Sequence, residues 1–291
     1  MKREFELERR LHALSLLREA MSAMKILSAH HFREARSAVE PARSYRQEVA
    51  RILRWTGATL AAGPGPAGLL VIGGELGLCG GYHARLVAAG LKRRKELGPG
   101  PTICVGHRLG TLLCRRGVEV QKIYAAPMSV RGIPALLLRL AEDILTTYVK
   151  EQLSSLDIVS SIFFGVGADE PQSERVLPFV SAPAEPMPAV RYVSHERLAR
   201  AVLQESLYIT IYGLLLDALA SEYSARMVAT QTAEKWLRER AERLRRHLAS
   251  AHRERSTQEI IEIAAGARSV RRGGARGRGA AKRWPSGSVF R

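Results

Sequence analysis

The residues that first suggest chemistry are the glycines of the stretch "LLVIGGELGLCGGYHARL", Leu69 to Leu86. An apolar run enters the glycines and a helical pattern leaves them, as in loops that cradle phosphate groups. The glycine spacing is G-x-x-G-x-x-G, which differs from the G-x-G-x-x-G of dinucleotide-binding folds. A P-loop needs Lys and then Ser or Thr after its last glycine, whereas a glycine and Tyr82 follow here. The motif therefore predicts a structural turn without direct nucleotide binding, made by Gly74, Gly77, Gly80 and Gly81.

Two histidines and three cysteines are the other candidates for metal binding or nucleophilic chemistry. His30 and His31 are adjacent, so we expect their side chains to diverge around a helix and to bind no metal. The cysteines include no C-x-x-C pair, which argues against a disulfide framework and favours a reducing compartment. We expect Cys104 and Cys114 to pack as small apolar residues. With no G-x-S-x-G or comparable motif, the sequence predicts neither a catalytic site nor a cofactor.

Nearly half of the net charge of +17 lies near the end of the chain. Eight basic residues and no acid lie between Arg268 and Arg291, and this Gly- and Arg-rich tail cannot bury enough apolar surface to order itself. Such a tail motivates one alternative, a nucleic-acid-associated coiled-coil protein. The tail has Trp284 but lacks the interleaved aromatic residues that stack on bases, so we expect nucleic acid not to be a partner. The longest apolar run stops at Asp217 and is too short to span a membrane.

Two long helical patterns occupy the two ends of the chain. From Glu4 to about Thr56, leucines and methionines recur at three- and four-residue steps, which predicts one amphipathic helix. Pro41 lies inside this pattern and should bend or break the helix, because its ring displaces a backbone donor. A second pattern, free of proline, runs from His195 to about Gly266. At 1.5 Å per residue these helices would be roughly 80 and 105 Å long.

Between the helices, short apolar runs alternate with helical patterns. The runs are "GLLVIGG", "PTICVGH" and "LDIVSSIFFGV", and their alternation with helices predicts a parallel sheet with helices on its faces. A compact domain of this length has a radius of gyration of about 19 Å, too small to contain either long helix. We therefore expect the end helices to pair as an antiparallel coiled coil. The predicted segments are an N-terminal helix at 1–57, an α/β insert at 68–180, a C-terminal helix at 193–270 and a basic disordered tail at 271–291.

Several segments, taken in order, resemble the gamma subunit of the rotary F-type ATP synthase. They are "SAMKILSAHHFREA" from Ser22, "GELGLCGGYH" from Gly74, "SERVLPF" from Ser173, "SEYSARMVATQTA" from Ser221 and "STQEIIEIAAGA" from Ser256. The resemblance covers roughly residues 1 to 270. It implies an α/β protein in which a long antiparallel coiled coil of the terminal helices carries an inserted Rossmann-like domain.

The resemblance also implies a non-catalytic rotor shaft. In the family, the coiled coil sits inside a ring of alpha and beta subunits, and ATP chemistry occurs on the beta subunits. The insert joins the epsilon subunit and the membrane c-ring, and the complex lies at the cytoplasmic face of the bacterial plasma membrane. The residues implied to contact a beta subunit are Met24, Lys25, Arg226, Met227, Thr257, Gln258, Glu259, Ile260 and Ile263.

Some of these positions have simpler interpretations, and the motifs depart from the family in places. Met24 fits a coiled-coil core position equally well, and Arg226 with Glu222 fits an i,i+4 ion pair. The glycine motif has Glu75 for the family's Asp and Leu76 for its Arg or Lys. These departures suggest a divergent paralogue. A nucleotide-dependent enzyme built on the insert is a further alternative, disfavoured by the glycine spacing.

Overall fold

The computed structural model describes residues 2–179 and 193–276. Residues 180–192, between the predicted insert and the C-terminal helix, and the part of the predicted tail from 277 onward lie outside the described residues. The chain divides into two compact units, one made of Met1–Arg18 with Lys235–Arg291, the other of Glu19–Glu234. Both boundaries between these units fall within the long helices.

Six helices and five strands follow one another along the described residues. They are α1 (Lys2–Thr56), β1 (Ala67–Ile72), α2 (Tyr82–Leu97), β2 (Thr102–Val105), α3 (His107–Arg115), β3 (Lys122–Tyr124), a 3₁₀ turn (Val130–Gly132), α4 (Ile133–Lys150), β4 (Ser155–Gly165), β5 (Ala168–Leu177) and α5 (His195–Arg276). The 3₁₀ turn is the shortest of the helical segments. Helix α1 matches its predicted bounds, whereas α5 continues beyond the predicted end near Gly266 to Arg276 and so includes the first residues assigned to the tail.

Helix α1 continues through Pro41, so a break at this residue is not observed. Val39 and Ala42, which flank the proline, are buried, whereas Pro41 itself faces solvent. Packing of its neighbours on the core therefore holds the helical backbone at a position where one backbone hydrogen bond is missing.

Within the unit Glu19–Glu234, α1 and α5 pair in antiparallel fashion. The Lys25 ammonium bonds the Glu234 carboxylate at 2.5 Å, and the Arg43 guanidinium bonds Asp217 at 2.8 Å. As the residue number rises along α1, that of its partner on α5 falls. In the other unit the first turn of α1 likewise meets α5, where Glu4 accepts a hydrogen bond from Arg255 at 2.9 Å.

The insert is built on a five-stranded sheet with the order β3-β2-β1-β4-β5. Neighbouring strands are parallel except for β4 and β5, which form an antiparallel pair. The predicted parallel sheet is thus mixed. Strands β3 and β5 were not predicted, because β3 has three residues and β5 alternates between exposed and half-buried positions with Pro171 in its middle.

Successive residues of the central strand enter two different apolar cores. Leu69 and Val71 pack with α2 and α3 on one face, while Leu70 and Ile72 belong to a larger core on the other face, as the strand period of two requires. The larger core also contains residues from α4 and from both long helices. The insert and the adjoining parts of α1 and α5 therefore share one hydrophobic core.

Among the described residues one helix has the length and composition to cross a bilayer. It is the part of α5 from His195 to Arg268, whose most apolar 18-residue window has a mean hydropathy of 1.3. The expectation that no such segment exists was therefore too strict. Because 67% of that window is buried inside the protein, its apolar character is that of a core helix, and one such helix is weak evidence for a membrane span.

Candidate functional site

The predicted glycine turn lies after β1, against the middle of α5. The backbone of Gly74 packs directly on the Glu222 carboxylate, and a Cβ atom at this position would collide with that carboxylate. Gly80 has a φ of +55°, a conformation that glycine adopts at little cost. The glycine at Gly74 therefore serves close packing against another helix, and the one at Gly80 serves the turn into α2.

Arg226 on α5 is bound to the carbonyl groups of the same turn. Its Nε donates to the Gly77 oxygen at 3.1 Å and its terminal nitrogen donates to the Leu76 oxygen at 3.2 Å. The guanidinium also pairs with Glu222, one helical turn earlier. Only 1% of the Arg226 side chain is exposed. We name Glu222, Arg226 and the turn Gly73–Gly81 the joint.

The two charged groups of the joint compensate each other inside the protein. Burial raises the pKa of the Glu222 carboxyl above its ordinary value, and the neighbouring Arg226 charge opposes that rise. A backbone hydrogen bond from Leu76 also favours the carboxylate. Because a buried charge without a partner is costly, the turn, the carboxylate and the guanidinium depend on one another.

Other residues of the same α5 segment bind the insert and were not singled out from the sequence. The Tyr223 hydroxyl donates to the Met128 carbonyl at 2.7 Å, and the Ser224 hydroxyl accepts from the Gly167 backbone at 2.8 Å. Both residues lie inside the quoted motif "SEYSARMVATQTA". Nothing in the helical period identifies their partners, which lie in loops distant in sequence.

Glu75, in the turn after β1, binds the N-terminal end of α3. Its carboxylate accepts hydrogen bonds from the backbone of His107, the first residue of α3, at 3.1 Å and from the Ala126 backbone at 2.9 Å. Burial raises the pKa of Glu75. The two backbone hydrogen bonds and the His107 side chain together have the larger, opposite effect, so the pKa of Glu75 lies below its ordinary value. The anion site at the start of α3 is thus filled by the chain's own carboxylate.

Cys79 and His83 form a buried, uncharged pair beside the turn. The Cys79 Sγ lies 3.0 Å from His83 Nδ1, and His83 Nε2 lies 3.2 Å from the Gly74 oxygen. Because that carbonyl only accepts, Nε2 carries the proton and the thiol donates to Nδ1. Burial raises the pKa of the Cys79 thiol to about 11 and lowers that of His83. Such a pair has no activated nucleophile at neutral pH.

The two cysteines expected to pack as apolar residues behave differently. Cys104 is buried in the smaller core, and burial raises the pKa of its thiol to about 12. Cys114, near the end of α3, is exposed, so the expectation is wrong for this residue. Its position faces solvent because the buried stripe of the short helix passes through Leu109 and Leu113.

The histidine pair also departs from the sequence expectation. His30 and His31 do not diverge widely: their ring centroids are 5.4 Å apart. Glu34 lies near both, and the three side chains place their possible ligand atoms within 4.8 Å of one another. Glu34 stands four residues after His30 on the same helix face, so the adjacent histidines have a third possible ligand beside them.

The residues implied to contact a partner lie in two regions of the long helices. Met24, Lys25 and Met227 are half-buried in the unit Glu19–Glu234, and Lys25 is engaged by Glu234. Arg226 is buried in the joint and forms an ion pair with Glu222. This i,i+4 pair is the alternative that the sequence offered to a contact with a partner subunit. Met24 stays compatible with either interpretation.

The second region is the exposed stretch of α5 in the other unit. Gln258 and Glu259 form i,i+4 contacts with Glu262 and Arg255, and the Thr257 hydroxyl bonds a carbonyl of the preceding turn. These are contacts within one helix. The two isoleucines are strongly exposed, Ile260 at 67% and Ile263 at 73%, although each has an apolar side chain that water solvates poorly.

Comparison with known proteins supplies the context for this arrangement. A family model described as ATP synthase matches residues 4–270. The ATP synthase gamma chain of Moorella thermoacetica is 28% identical over 281 residues, which cover 91% of this chain and 98% of the relative. The gamma chain of Desulforamulus reducens is 28% identical over 284 residues with the same coverage.

Solved structures share the fold at lower sequence identity. A chain in the Euglena gracilis mitochondrial ATP synthase (OSCP/F1/c-ring) matches with a TM-score of 0.69 at 12% identity, covering 97% of this chain and 99% of that chain. A chain from the central stalk and c-ring of the Tetrahymena thermophila enzyme matches with a TM-score of 0.58 at 17% identity, covering 74% and 99%.

Proposed function

The chain belongs to the ATP synthase family, and from this membership we propose that it is the central-stalk rotor subunit of an F-type ATP synthase or ATPase. In this role it couples ion-driven rotation of a membrane ring to conformational changes of catalytic subunits. The observation that carries the proposal is the match over residues 4–270, which includes the whole insert and nearly all of both long helices. The gamma chains it resembles are covered over 98% of their length.

A rotor subunit must transmit torque from the membrane ring that drives it to the catalytic subunits whose conformations it changes. The joint supports this role, because Arg226 ties the middle of α5 to the turn after β1 through two carbonyl groups. The shared apolar core supports it as well, since α1, α5, the sheet and α4 all contribute side chains. Close-packed interiors transmit strain with little give, so the insert and the adjoining helices would turn together.

We assign the partners to the surfaces of the long helices and of the insert that are not used in contacts within the chain. The helices would contact the alpha and beta subunits, and the insert would contact the epsilon subunit and the c-ring. Ile260 and Ile263 support an apolar contact at the end of α5, because exposed apolar side chains at successive turns suit a partner surface. A beta subunit would contact Lys25, Met24 and Met227 near the middle of the helices. It would also contact Thr257, Gln258 and Glu259, which lie beside the two isoleucines.

The chain itself would carry no catalytic site. The Glu75 carboxylate occupies the N-terminal end of α3, where an anionic ligand could otherwise bind, and burial raises the pKa of the Cys79 thiol to about 11. ATP hydrolysis would occur on the beta subunits, each of which would meet a different face of the shaft. Differential contacts of this kind shift each partner toward one of its conformations. The relatives are bacterial, which supports a peripheral position at the cytoplasmic face of the plasma membrane.

The test is reconstitution followed by observation of rotation. The chain is co-expressed with the alpha and beta subunits of the same source, and we expect a stoichiometric complex that hydrolyses ATP. A bead attached to the exposed thiol of Cys114 should then turn when ATP is added, since the other two cysteines are buried. The Cys114→Ser variant should hydrolyse ATP equally but fail to take up the bead.

Two results would overturn the proposal. One is a chain that remains monomeric in the presence of the alpha and beta subunits while those subunits assemble with another gamma chain. The other is an assembled, ATP-hydrolysing complex whose bead at Cys114 stays fixed.

A further inference from the structure

We propose that His30, His31 and Glu34 form a binding site for a divalent transition-metal ion, best matched by Zn²⁺, on helix α1. The site lies outside the joint and is independent of the rotor function proposed above. It offers two imidazole nitrogens and one carboxylate oxygen, donors that Zn²⁺ binds in proteins. Mg²⁺ and Ca²⁺ prefer oxygen donors throughout, so this donor set disfavours them.

The helix places the three donors close enough to share one ion. Glu34 is four residues after His30 and three after His31, the spacings that bring side chains together on a helix surface. His31 Nδ1 and Glu34 Oε2 are 3.7 Å apart. A tetrahedral ion with bonds of about 2.1 Å separates its ligand atoms by about 3.4 Å, so these two need to approach only slightly.

His30 would complete the set by a side-chain rotation. Its donor atom lies within 4.8 Å of the other two, and the residue is exposed, so rotation of its ring meets little resistance. Its exposure also leaves the fourth coordination position open to solvent. A water molecule there would complete a tetrahedral zinc site.

One of the three proposed ligand atoms, His31 Nδ1, lacks a hydrogen-bond partner among the described residues. His31 Nδ1 is shielded from solvent and makes no hydrogen bond, an arrangement that native proteins generally avoid for buried polar atoms. The distance to Glu34 is too long for a hydrogen bond. An ion between the two groups would satisfy both.

The orientation of His31 is fixed by α5. Its ring packs on that of Tyr223, with centroids 5.0 Å apart, and the Tyr223 hydroxyl is in turn bonded to the Met128 carbonyl. A ligand held in place by its surroundings loses less freedom when it binds a metal, and such supporting contacts strengthen metal sites. In the proposed site His31 is therefore held in position by Tyr223, whereas the exposed His30 can adjust its side chain.

The experiment is a calorimetric titration of the purified full-length chain with ZnCl₂. We expect one site per chain whose affinity falls at least about tenfold in His30→Ala and in Glu34→Gln, because each variant removes a ligand. His12→Ala is the matched control, since His12 lies on the same helix with Leu16 at the i+4 position, and its affinity should equal that of the wild type. Because the side chain of His30 is exposed, we expect His30→Ala to fold like the wild type, which circular dichroism verifies.

A second measurement identifies the ligands. Co²⁺ in place of Zn²⁺ should give visible absorption typical of nitrogen and oxygen coordination that disappears in His30→Ala and persists in Cys114→Ser. The proposal is overturned if the wild-type chain shows no binding, if His12→Ala weakens binding as much as His30→Ala, or if the Cys114→Ser variant abolishes it.

Discussion

The Glu222 carboxylate on α5 lies against the backbone of Gly74 in the insert, with no room between them for a side chain. This contact joins two segments that are far apart in the sequence. It also explains why the glycine stretch looks like a ligand-binding loop while serving another purpose. The group cradled by the turn is a carboxylate of the protein itself, accompanied by the Arg226 guanidinium.

Gly74→Ala is expected to destabilise the chain by about 1–3 kcal/mol, because the added methyl group forces the Glu222 carboxylate or the turn to move. Gly213→Ala is the control, since a Cβ atom at this helical glycine of α5 meets open space and should be neutral or stabilising. Urea unfolding of both variants measures the difference. Equal stability of the two variants would show that the contact at Gly74 is unimportant.

Removing one charge of the joint should cost more than removing both. Arg226→Met leaves the Glu222 carboxylate buried without its partner, and we expect a loss of about 3–5 kcal/mol in the free energy of unfolding. The double variant with Glu222→Met as well leaves no unpaired charge, so its loss should be smaller than that of Arg226→Met alone. A double-mutant cycle by chemical denaturation checks this, and simple additivity of the two single changes would contradict it.

Stability should depend on pH through Glu75. Its pKa is lowered in the folded chain from an ordinary value of 4.5, so its stabilising contribution is present above that value and is lost as pH falls through the folded pKa. The difference in unfolding free energy between the wild type and Glu75→Gln should therefore shrink from about pH 6 to about pH 3. Denaturation at several pH values measures it, and a difference independent of pH would refute the role given to this carboxylate.

Ile260→Ser and Ile263→Ser should weaken assembly without affecting folding. Both side chains are exposed in the chain alone, so we expect stability changes within about 0.5 kcal/mol. If a partner buries them, each change should cost about 1 kcal/mol or more of binding, roughly a fivefold loss of affinity. Val149→Ser, at an exposed position on α4, is the control. Affinity for the alpha and beta subunits, measured with purified components, would be unchanged in all three variants if the isoleucines face solvent in the complex.

The sequence predicts the long helices well because their apolar stripes extend over many turns. It also predicts β1, β2 and β4, because β1, β2 and the first seven residues of β4 are buried on both faces of the sheet and are therefore rich in apolar side chains. It misses β5, since an edge strand with one exposed face contains the polar stretch "ADEPQSERVL". Helical spacing alone likewise does not show that α1 continues as one helix through Pro41, beside the buried Val39 and Ala42.

The residues of the candidate site likewise fall into those that the sequence predicts and those that it does not. Gly74 and Gly80 are visible in the sequence as a turn, but the partner that requires Gly74 to be a glycine is Glu222, distant in the chain. Arg226 could be paired with Glu222 by the i,i+4 rule, yet its burial depends on the insert carbonyls, which no local pattern reveals. The His30 and Glu34 pair, in contrast, follows the same i,i+4 rule and was recognisable from the sequence alone.

The ion pair between Lys25 and Glu234 joins residues that are 209 positions apart. A ribosome adding about 5–20 residues per second needs roughly 10 to 40 seconds to make the intervening chain. During that time the early helix emerges with its apolar stripe uncovered, exposed to chaperones and to other nascent chains. The order of synthesis thus delays the pairing of α1 with α5 until most of the chain between them has been made.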